Sequence, residues 1–435
     1  MKPQVVVFKH NFMQTFWQKL RLVVTDKILR KRLLFVGVAF VLFRLLAAVP
    51  IPGINEQQLA RLFESNQFLG LFNIFSGGGL DNLSIVMLGV GPYITASIIM
   101  QLLTMVFPKL KEMYHEEGEL GRKRFAQYSR LLTLPLALIS SFGFLVLLSR
   151  QGVLGDLSSF ATLVNMSLVI AGAFLLMWIG ELATEFGIGS GVSLIIFAGI
   201  VSSIPKGVAA LALSFDPSQI PLYAAFLAAA LAVIYGVVVV SEAERPVPVT
   251  YAKRVRGMKQ YGGVSTYLPL RVNQAGVIPI IFALSILLFP QMILSFFANV
   301  DNALVQKISG MLLALFSNGW FYSSLYFLLV LVFTYFYTAV TFEPESVATN
   351  LQKNGAFVPG VRPGRATAEY LSRIVTRITL VGAVFLALVA VLPLAMQSLT
   401  GNTALAIGGT ALLIVVSVVL DLVKKIDAQV AMREY

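Results

Sequence analysis

Ten apolar stretches alternate with polar segments along this 435-residue chain. Each is close to the roughly 20 residues that a helix needs to cross about 30 Å of hydrocarbon. They predict transmembrane helices at about 33–49, 84–106, 130–149, 162–180, 191–212, 220–240, 274–297, 319–341, 374–396 and 404–423.

Ten spans divide into two sets of five, and an odd number per set forces the second to enter the membrane in the opposite orientation. The predicted fold class is an all-α polytopic membrane protein, with ten transmembrane helices in two inverted five-helix halves around a central pore. The halves are expected at 1–212, holding spans 1–5, and at 213–435, holding spans 6–10.

Inverted repeats place functional sites at their interface near the midplane. Span 2 opens Gly89-Val90-Gly91-Pro92-Tyr93-Ile94 and span 7 opens Gly276-Val277-Ile278-Pro279-Ile280-Ile281, so both carry Gly-Val-x-Pro-x-Ile. Spans 5 and 10 pair through Gly191 followed by Ile196 and Gly409 followed by Ile414. The expectation is that Ile94, Ile196, Ile281 and Ile414, with Val90 one turn before Ile94, converge as an apolar pore ring. Chance is the competing explanation, because Gly and Pro are frequent in membrane helices. A ring of this kind gates by excluding water and ions, without a charged filter.

Charge orients the spans. All but five of the 33 Lys and Arg lie before span 1, in alternate gaps, or after span 10, which puts those segments and both termini in the cytoplasm. The exceptions are Arg44, Arg61, Arg150, Lys206 and Lys307. Arg44, inside span 1, is expected to snorkel outward or to cap carbonyls near the outer surface, with no catalytic role. Ahead of span 1, Phe8, Phe12, Phe16, Leu20 and Val24 recur at helical spacing among basic residues. This predicts an amphipathic helix on the cytoplasmic membrane surface, not a cleaved signal peptide.

Composition narrows the chemistry. A content of 57% hydrophobic and 12% charged residues, with mean hydropathy +0.82, leaves no soluble domain large enough for an enzyme. The chain has no cysteine, hence no disulfide, thiolate metal site or cysteine nucleophile. None of the 21 Asp and Glu lies mid-span, which disfavours an ion-coupled pump. His10 and His115 are far apart, and neither a His-Glu-x-x-His nor a Gly-x-x-x-x-Gly-Lys pattern occurs. No catalytic, cofactor-binding or metal-ligating residue is expected, and any ATP-driven work falls to a partner.

The stretch from Leu69 to Leu83 is apolar enough to bury but too short and Gly-rich to span. It predicts either a re-entrant helix ending at Gly77 to Gly79 or a helix lying on the outer surface. Its direct attachment to span 2 favours a plug over about residues 68–83, drawing on Phe72, Ile74, Phe75, Ser76, Gly77, Gly78 and Gly79.

Three cytoplasmic loops, at 107–129, 242–273 and 342–373, are long enough to be functional. The second alternates from Val247 to Arg256, turns near Gly257 and continues from Tyr261 to Tyr267, the pattern of a β-hairpin. The third carries Pro-Gly turns that present Arg362 and Arg365, a geometry suited to carboxylates or RNA phosphates. Charges that serve only to fix topology are the alternative for any one of these residues.

Several blocks resemble the SecY family of protein-conducting channel subunits. They are Ile51-Pro-Gly-Ile54, Asn73-Ile-Phe-Ser-Gly-Gly-Gly79, Gly91-Pro-Tyr-Ile-Thr95, Glu185-Phe-Gly-Ile-Gly189, Leu194-Ile-Ile-Phe-Ala-Gly199, Ala275-Gly-Val-Ile-Pro279, Gly355-Ala-Phe-Val-Pro-Gly-Val-Arg362 and Leu412-Leu-Ile-Val-Val416. The resemblance implies an hourglass pore with a ring at Val90, Ile94, Ile196, Ile281 and Ile414, and a plug ahead of span 2. It implies a lateral gate between spans 2 and 7, flanked by spans 3 and 8, lined by Thr95, Asn273 and Phe289; from its position, Asn273 is equally a helix cap. It further implies Arg254, Arg256, Lys259 and Arg362 as contacts for the SecA motor ATPase and the ribosome, including ribosomal RNA. Two positions depart from the family pattern: Val90 stands where Ile is usual, and Met258 where a second basic residue is expected.

The function implied is passage of unfolded secretory chains, with apolar segments released sideways into the lipid bilayer. Signal sequences and nascent secretory or membrane proteins are the substrates, and SecE and SecG the small membrane subunits. The location implied is the bacterial inner (plasma) membrane, with no cofactor and no enzymatic activity. A solute transporter with a five-plus-five inverted repeat and a ribosome-docking scaffold are the competing classes.

Overall fold

A computed structural model describes residues 25–53, 76, 78–80, 82–150, 152–154, 158–213, 220–251, 254–256, 259–261, 265–276, 278–297, 302–400 and 403–431. The expected N-terminal amphipathic helix, Phe8 to Val24, lies outside these residues.

A helix stands at each predicted span. The first half contains α1 (Lys27–Ala47), α2 (Gly91–Val106), α3 (Pro108–His115), α4 (Gly118–Arg150), α5 (Ser159–Phe186) and α6 (Gly191–Leu213). The second contains α7 (Ile220–Glu242), α8 (Ile278–Phe297), α9 (Ala303–Ser317), α10 (Gly319–Thr341), α11 (Pro344–Lys353), α12 (Arg365–Thr400) and α13 (Thr403–Ala431). By length and hydropathy alone, five stretches of the described residues can cross a membrane, or six if the bent α2–α3 pair counts as one.

Local chemistry sets the helix ends. Asp26, Ser158, Asn302 and Asn318 cap α1, α5, α9 and α10 with side-chain oxygens that accept first-turn N–H groups. Pro108 denies Phe107 the helical backbone, and the chain turns by 116° between α2 and α3.

Three features differ from the expected spans. Helix α2 begins at Gly91 and not at residue 84; residues 82–90 form buried turns with a short bridge from Pro50 to Ser84. Helices α4 and α12 begin at Gly118 and Arg365, ahead of the expected 130 and 374, because hydropathy marks only the apolar part of a helix that continues into water. The unforeseen α9 fills the gap between α8 and α10.

Neighbour relations repeat in the two halves. In the first, α2 packs on α4, α4 on α5, α5 on α6, and α1 on both α5 and α6. In the second, α8 packs on α10, α10 on α12, α12 on α13, and α7 on both α12 and α13. The sequence pairing of spans 2 with 7 and 5 with 10 thus has a packing counterpart.

The second and third of the long polar loops form one sheet. Strands β1 (Glu244–Tyr251) and β4 (Ser265–Arg271) pair antiparallel, and β5 (Ala356–Phe357) of the third loop adds to β1, giving the order β4-β1-β5. Between them, β2 (Arg254–Arg256) pairs antiparallel with β3 (Lys259–Tyr261), while the expected turn residue Gly257 lies outside the described residues. Val247, Val249, Leu270, Ala356 and Val358 bury against Leu371, Ile374 and Val375 of α12, so the sheet rests on a small core of its own.

Candidate functional site

The halves meet where α8 packs on α2 and α4, and where α6 packs on α13. Helices α2, α6, α8 and α13 carry Ile94, Ile196, Ile281 and Ile414. These four and Val90 are buried, at 1% to 7% exposure, in a single apolar cluster that spans both halves. Val90 is the residue before α2, and its carbonyl accepts the Ile94 N–H at 3.0 Å. Phe282, beside Ile281, meets Phe333 and Tyr337 of α10 edge-on, each at 6.0 Å between ring centres, which fixes the rotation of α8. Among the described residues, no buried side chain is an Asp, Glu, Lys or Arg.

The approach to α2 is irregular backbone covered by protein, the condition under which non-helical chain is tolerated at membrane depth. Ile51 N–H donates to the Leu83 carbonyl and Ile85 N–H to the Val49 carbonyl, both at 3.0 Å. Leu80, Leu83, Met87 and Leu88 bury against Phe144, Leu145 and Leu148 of α4 and Val169 and Ala173 of α5. Gly172 permits this approach: a Cβ there would stand 2.0 Å from the Ile85 carbonyl oxygen. Sequence reasoning places a helix here because tertiary burial, invisible to hydropathy, holds the turns.

Of the expected plug, Ser76, Gly78 and Gly79 are described, while Phe72, Ile74, Phe75 and Gly77 lie outside the described residues. Ser76 is buried, and its Oγ accepts the Leu80 N–H at 3.3 Å. Gly78, at φ 79°, faces Arg44 Nη1 and Ser202 Oγ, which would stand 3.8 and 3.9 Å from a Cβ placed there.

Arg44 is exposed in the last turn of α1, and its Nη1 donates to Ser202 Oγ of α6 at 2.8 Å. Ser202 in turn donates to the Gly199 carbonyl at 2.6 Å. A hydroxyl of a helix remote in sequence offers the guanidinium a partner that span-by-span reading does not reveal.

At the expected gate, Thr95 is half-buried and its hydroxyl donates to the Gly91 carbonyl at 3.1 Å. Asn273 is buried; its Nδ2 donates to the Gly276 carbonyl at 3.2 Å and its Oδ1 has no partner. It lies before α8 as a donor, so the capping role considered for it is corrected: a cap accepts helix N–H groups. Phe289 lies in α8, its side chain outside the described atoms. Asn273 also lines a cavity of about 270 Å³ bounded by Ser190, just before α6, Ser193 of α6, Tyr337 of α10, and Asp421 and Lys425 of α13. Lys425 pairs with Asp421 at 2.6 Å.

The docking candidates Arg254, Arg256 and Lys259 belong to β2 and β3, and their side chains lie outside the described atoms. Arg362 is exposed in the turn after β5, between Gly360 and Gly364, both at positive φ. Sequence reasoning foresaw none of the ion pairs that join distant elements, among them Arg130 with Glu181 at 2.7 Å, joining α4 to α5, and Lys111 with Glu343 at 3.6 Å, joining α3 to the third loop. Among the described residues, no group of three His, Cys, Asp or Glu could hold a metal ion.

The SecY family model matches residues 84–423. The protein translocase subunit SecY of Mycobacterium bovis is 43% identical over 429 residues, covering 94% of this chain and 96% of its own. Among solved structures, a protein-conducting channel superposes with a TM-score of 0.63 at 19% identity, covering 93% of both chains. Sec61 in a canine ribosome–channel complex from the endoplasmic reticulum gives 0.58 at 17%, again covering 93% of both. The solved structures bear on the fold; the family model and the mycobacterial relative reach further. With the family model matched over residues 84–423 and 43% identity across 94% of its length, this chain belongs to the SecY family.

Proposed function

We propose that this chain is a protein-conducting channel, through which unfolded secretory polypeptides cross the membrane and from which apolar segments leave sideways into lipid. The observation that carries the reading is the burial of Ile94, Ile196, Ile281 and Ile414 in one cluster, on four of the helices that join the two halves. An aliphatic constriction passes any side chain yet resists water and ions when closed. The packing of α8 on α2 and α4 supports a shut lateral gate. A signal sequence that wedges between α2 and α8 shifts the equilibrium by its higher affinity for the open arrangement.

The segment at Ser76 to Gly79, next to Arg44, serves as the end of a plug. The cavity at Asn273 serves as the cytoplasmic entrance, and Thr95, Asn273 and Phe289 line the gate. Sorting into lipid follows transfer energetics: Leu or Ile gains roughly 0.3–0.6 kcal/mol at a helix centre, and Arg or Asp loses roughly 2.5–3.5.

The energy comes from outside the chain. The canine relative in fold occurs with a ribosome, which supports the ribosome as a partner; SecA, SecE and SecG follow from family membership. Arg254, Arg256, Lys259 and Arg362 are the contacts assigned to the ribosome or motor. The channel resides in a bacterial inner membrane with both termini cytoplasmic, a placement supported by the charge asymmetry of its loops and by a bacterial relative.

The absence of cysteine permits a direct test. Single cysteines at Ile281, Ile414 and the exposed Leu328 of α10 are paired with a stalled secretory chain carrying one cysteine. Disulfides at the first two positions and not the third are expected. Their absence at both ring positions would restore the transporter and scaffold readings.

A further inference from the structure

Helix α9 divides its surface into three stripes. Val305, Ser309, Leu313 and Phe316, at spacings of four, four and three, are the half-buried or buried positions, and α9 packs on α8 and α10. Phe316 meets Phe321 of α10 edge-on at 5.9 Å. Gln306, Lys307, Gly310 and Ala314 form a polar and small stripe that holds the only charge in the helix. The third stripe is apolar and open: Leu304, Ile308, Met311, Leu312 and Leu315, with Met311 78% exposed. At 100° per residue the three stripes are centred about 120° apart.

Topology states what covers the open stripe. Helices α8 and α10 are consecutive spans, so their joined ends lie at one membrane surface, and α9 begins six residues after Phe297 and ends two before Gly319. With 15 residues it is about 22 Å long, too short to span. The surface is the one opposite the basic loop between α7 and α8. Trp320, in the first turn of α10, is 83% exposed, and Leu328 and Val332 further along that helix are exposed too. A tryptophan in that place marks the boundary of hydrocarbon and headgroups.

We infer that α9 is an interfacial helix whose Leu304–Ile308–Met311–Leu315 stripe is seated in the outer-leaflet lipid, with Lys307 turned to water and headgroups. It anchors the outer end of α8, the helix that carries Ile281, so that α8 moves against a lipid-held support.

The test uses the full chain in phospholipid vesicles, with an environment-sensitive fluorophore on single cysteines introduced as Met311→Cys and Lys307→Cys. Leu328→Cys, on the outward face of α10, reports that the chain is inserted. The label at 311 is expected to be blue-shifted and to lose most of its emission to a shallow spin-labelled phospholipid, with little loss to iodide. The label at 307 is expected to do the reverse. Iodide quenching at 311 equal to that at 307 would overturn the inference. Shielding of 311 from both quenchers would overturn it as well, by showing that protein, such as a second copy, covers the stripe.

Discussion

Gly89 and Gly276 hold the same left-handed backbone, φ 58° and 62°, each three residues before the proline of a helix's first turn, Pro92 and Pro279. The glycine of the Gly-Val-x-Pro-x-Ile motif is therefore repeated in conformation as well as in letter, and Ile94 and Ile281 fall at matching places in the first turns of α2 and α8. A Cβ on Gly276 would meet nothing within 4 Å, so Gly276→Ala tests the backbone alone. A loss of about 1–2 kcal/mol is expected, with Gly276→Asn milder, read as a lowered unfolding temperature in detergent. An unshifted transition for Gly276→Ala would remove the left-handed requirement.

Replacing Ile281 or Ile414 by Asn puts an amide into the aliphatic cluster at a cost of about 1–3 kcal/mol. The closed arrangement loses that stability and the constriction wets. Planar-bilayer recordings of the resting channel are expected to show raised ion conductance for both variants, whereas unchanged conductance would count against the ring.

Gly172→Ala forces a Cβ onto the Ile85 carbonyl, a contact that backbone movement alone can relieve. Overpacking of this kind costs about 1–3 kcal/mol. The expected result is a lower thermal midpoint together with greater proteolysis near residues 82–90; wild-type behaviour would mean that α5 does not seat that segment.

The Arg44–Ser202 bond predicts a coupling of about 1 kcal/mol in a double-mutant cycle of Arg44→Ala and Ser202→Ala. Unfolding in detergent measures it, and additive losses would show the two side chains to be independent.

Arg362→Glu is expected to weaken ribosome binding several-fold, and more strongly at low salt than at high, with no change in thermal stability because the side chain is exposed. Sedimentation of the reconstituted channel with ribosomes reads the effect. Equal binding by the variant at low salt would remove Arg362 from the docking surface.

Hydropathy delimited the spans well where a helix is apolar to its ends: α10 covers the expected 319–341, and α6 starts at the expected Gly191. It failed at residues 84–90, where apolar content is high but the backbone is held in turns by pairing of Ile51 with Leu83 and of Ile85 with Val49. It overlooked α9, whose apolar positions recur every three to four residues in a helix too short for a span. The four isoleucines that bury in one cluster were legible because the repeat is written locally, in six-residue motifs. The reach of Arg44 to Ser202 and the strand linking two loops join residues more than 80 positions apart, and no local pattern records them.

The pairing of β1 with β5, through Thr250 with Phe357 and Tyr251 with Ala356, has a mechanical consequence. The sheet stitches together the neighbouring ends of α7, α8, α11 and α12, all in the second half, while the first half is tied to it at this level through the exposed Lys111–Glu343 pair. A partner that grips either loop therefore holds a handle on one half of the molecule. Torque applied there is delivered to the seam between α8 and α2.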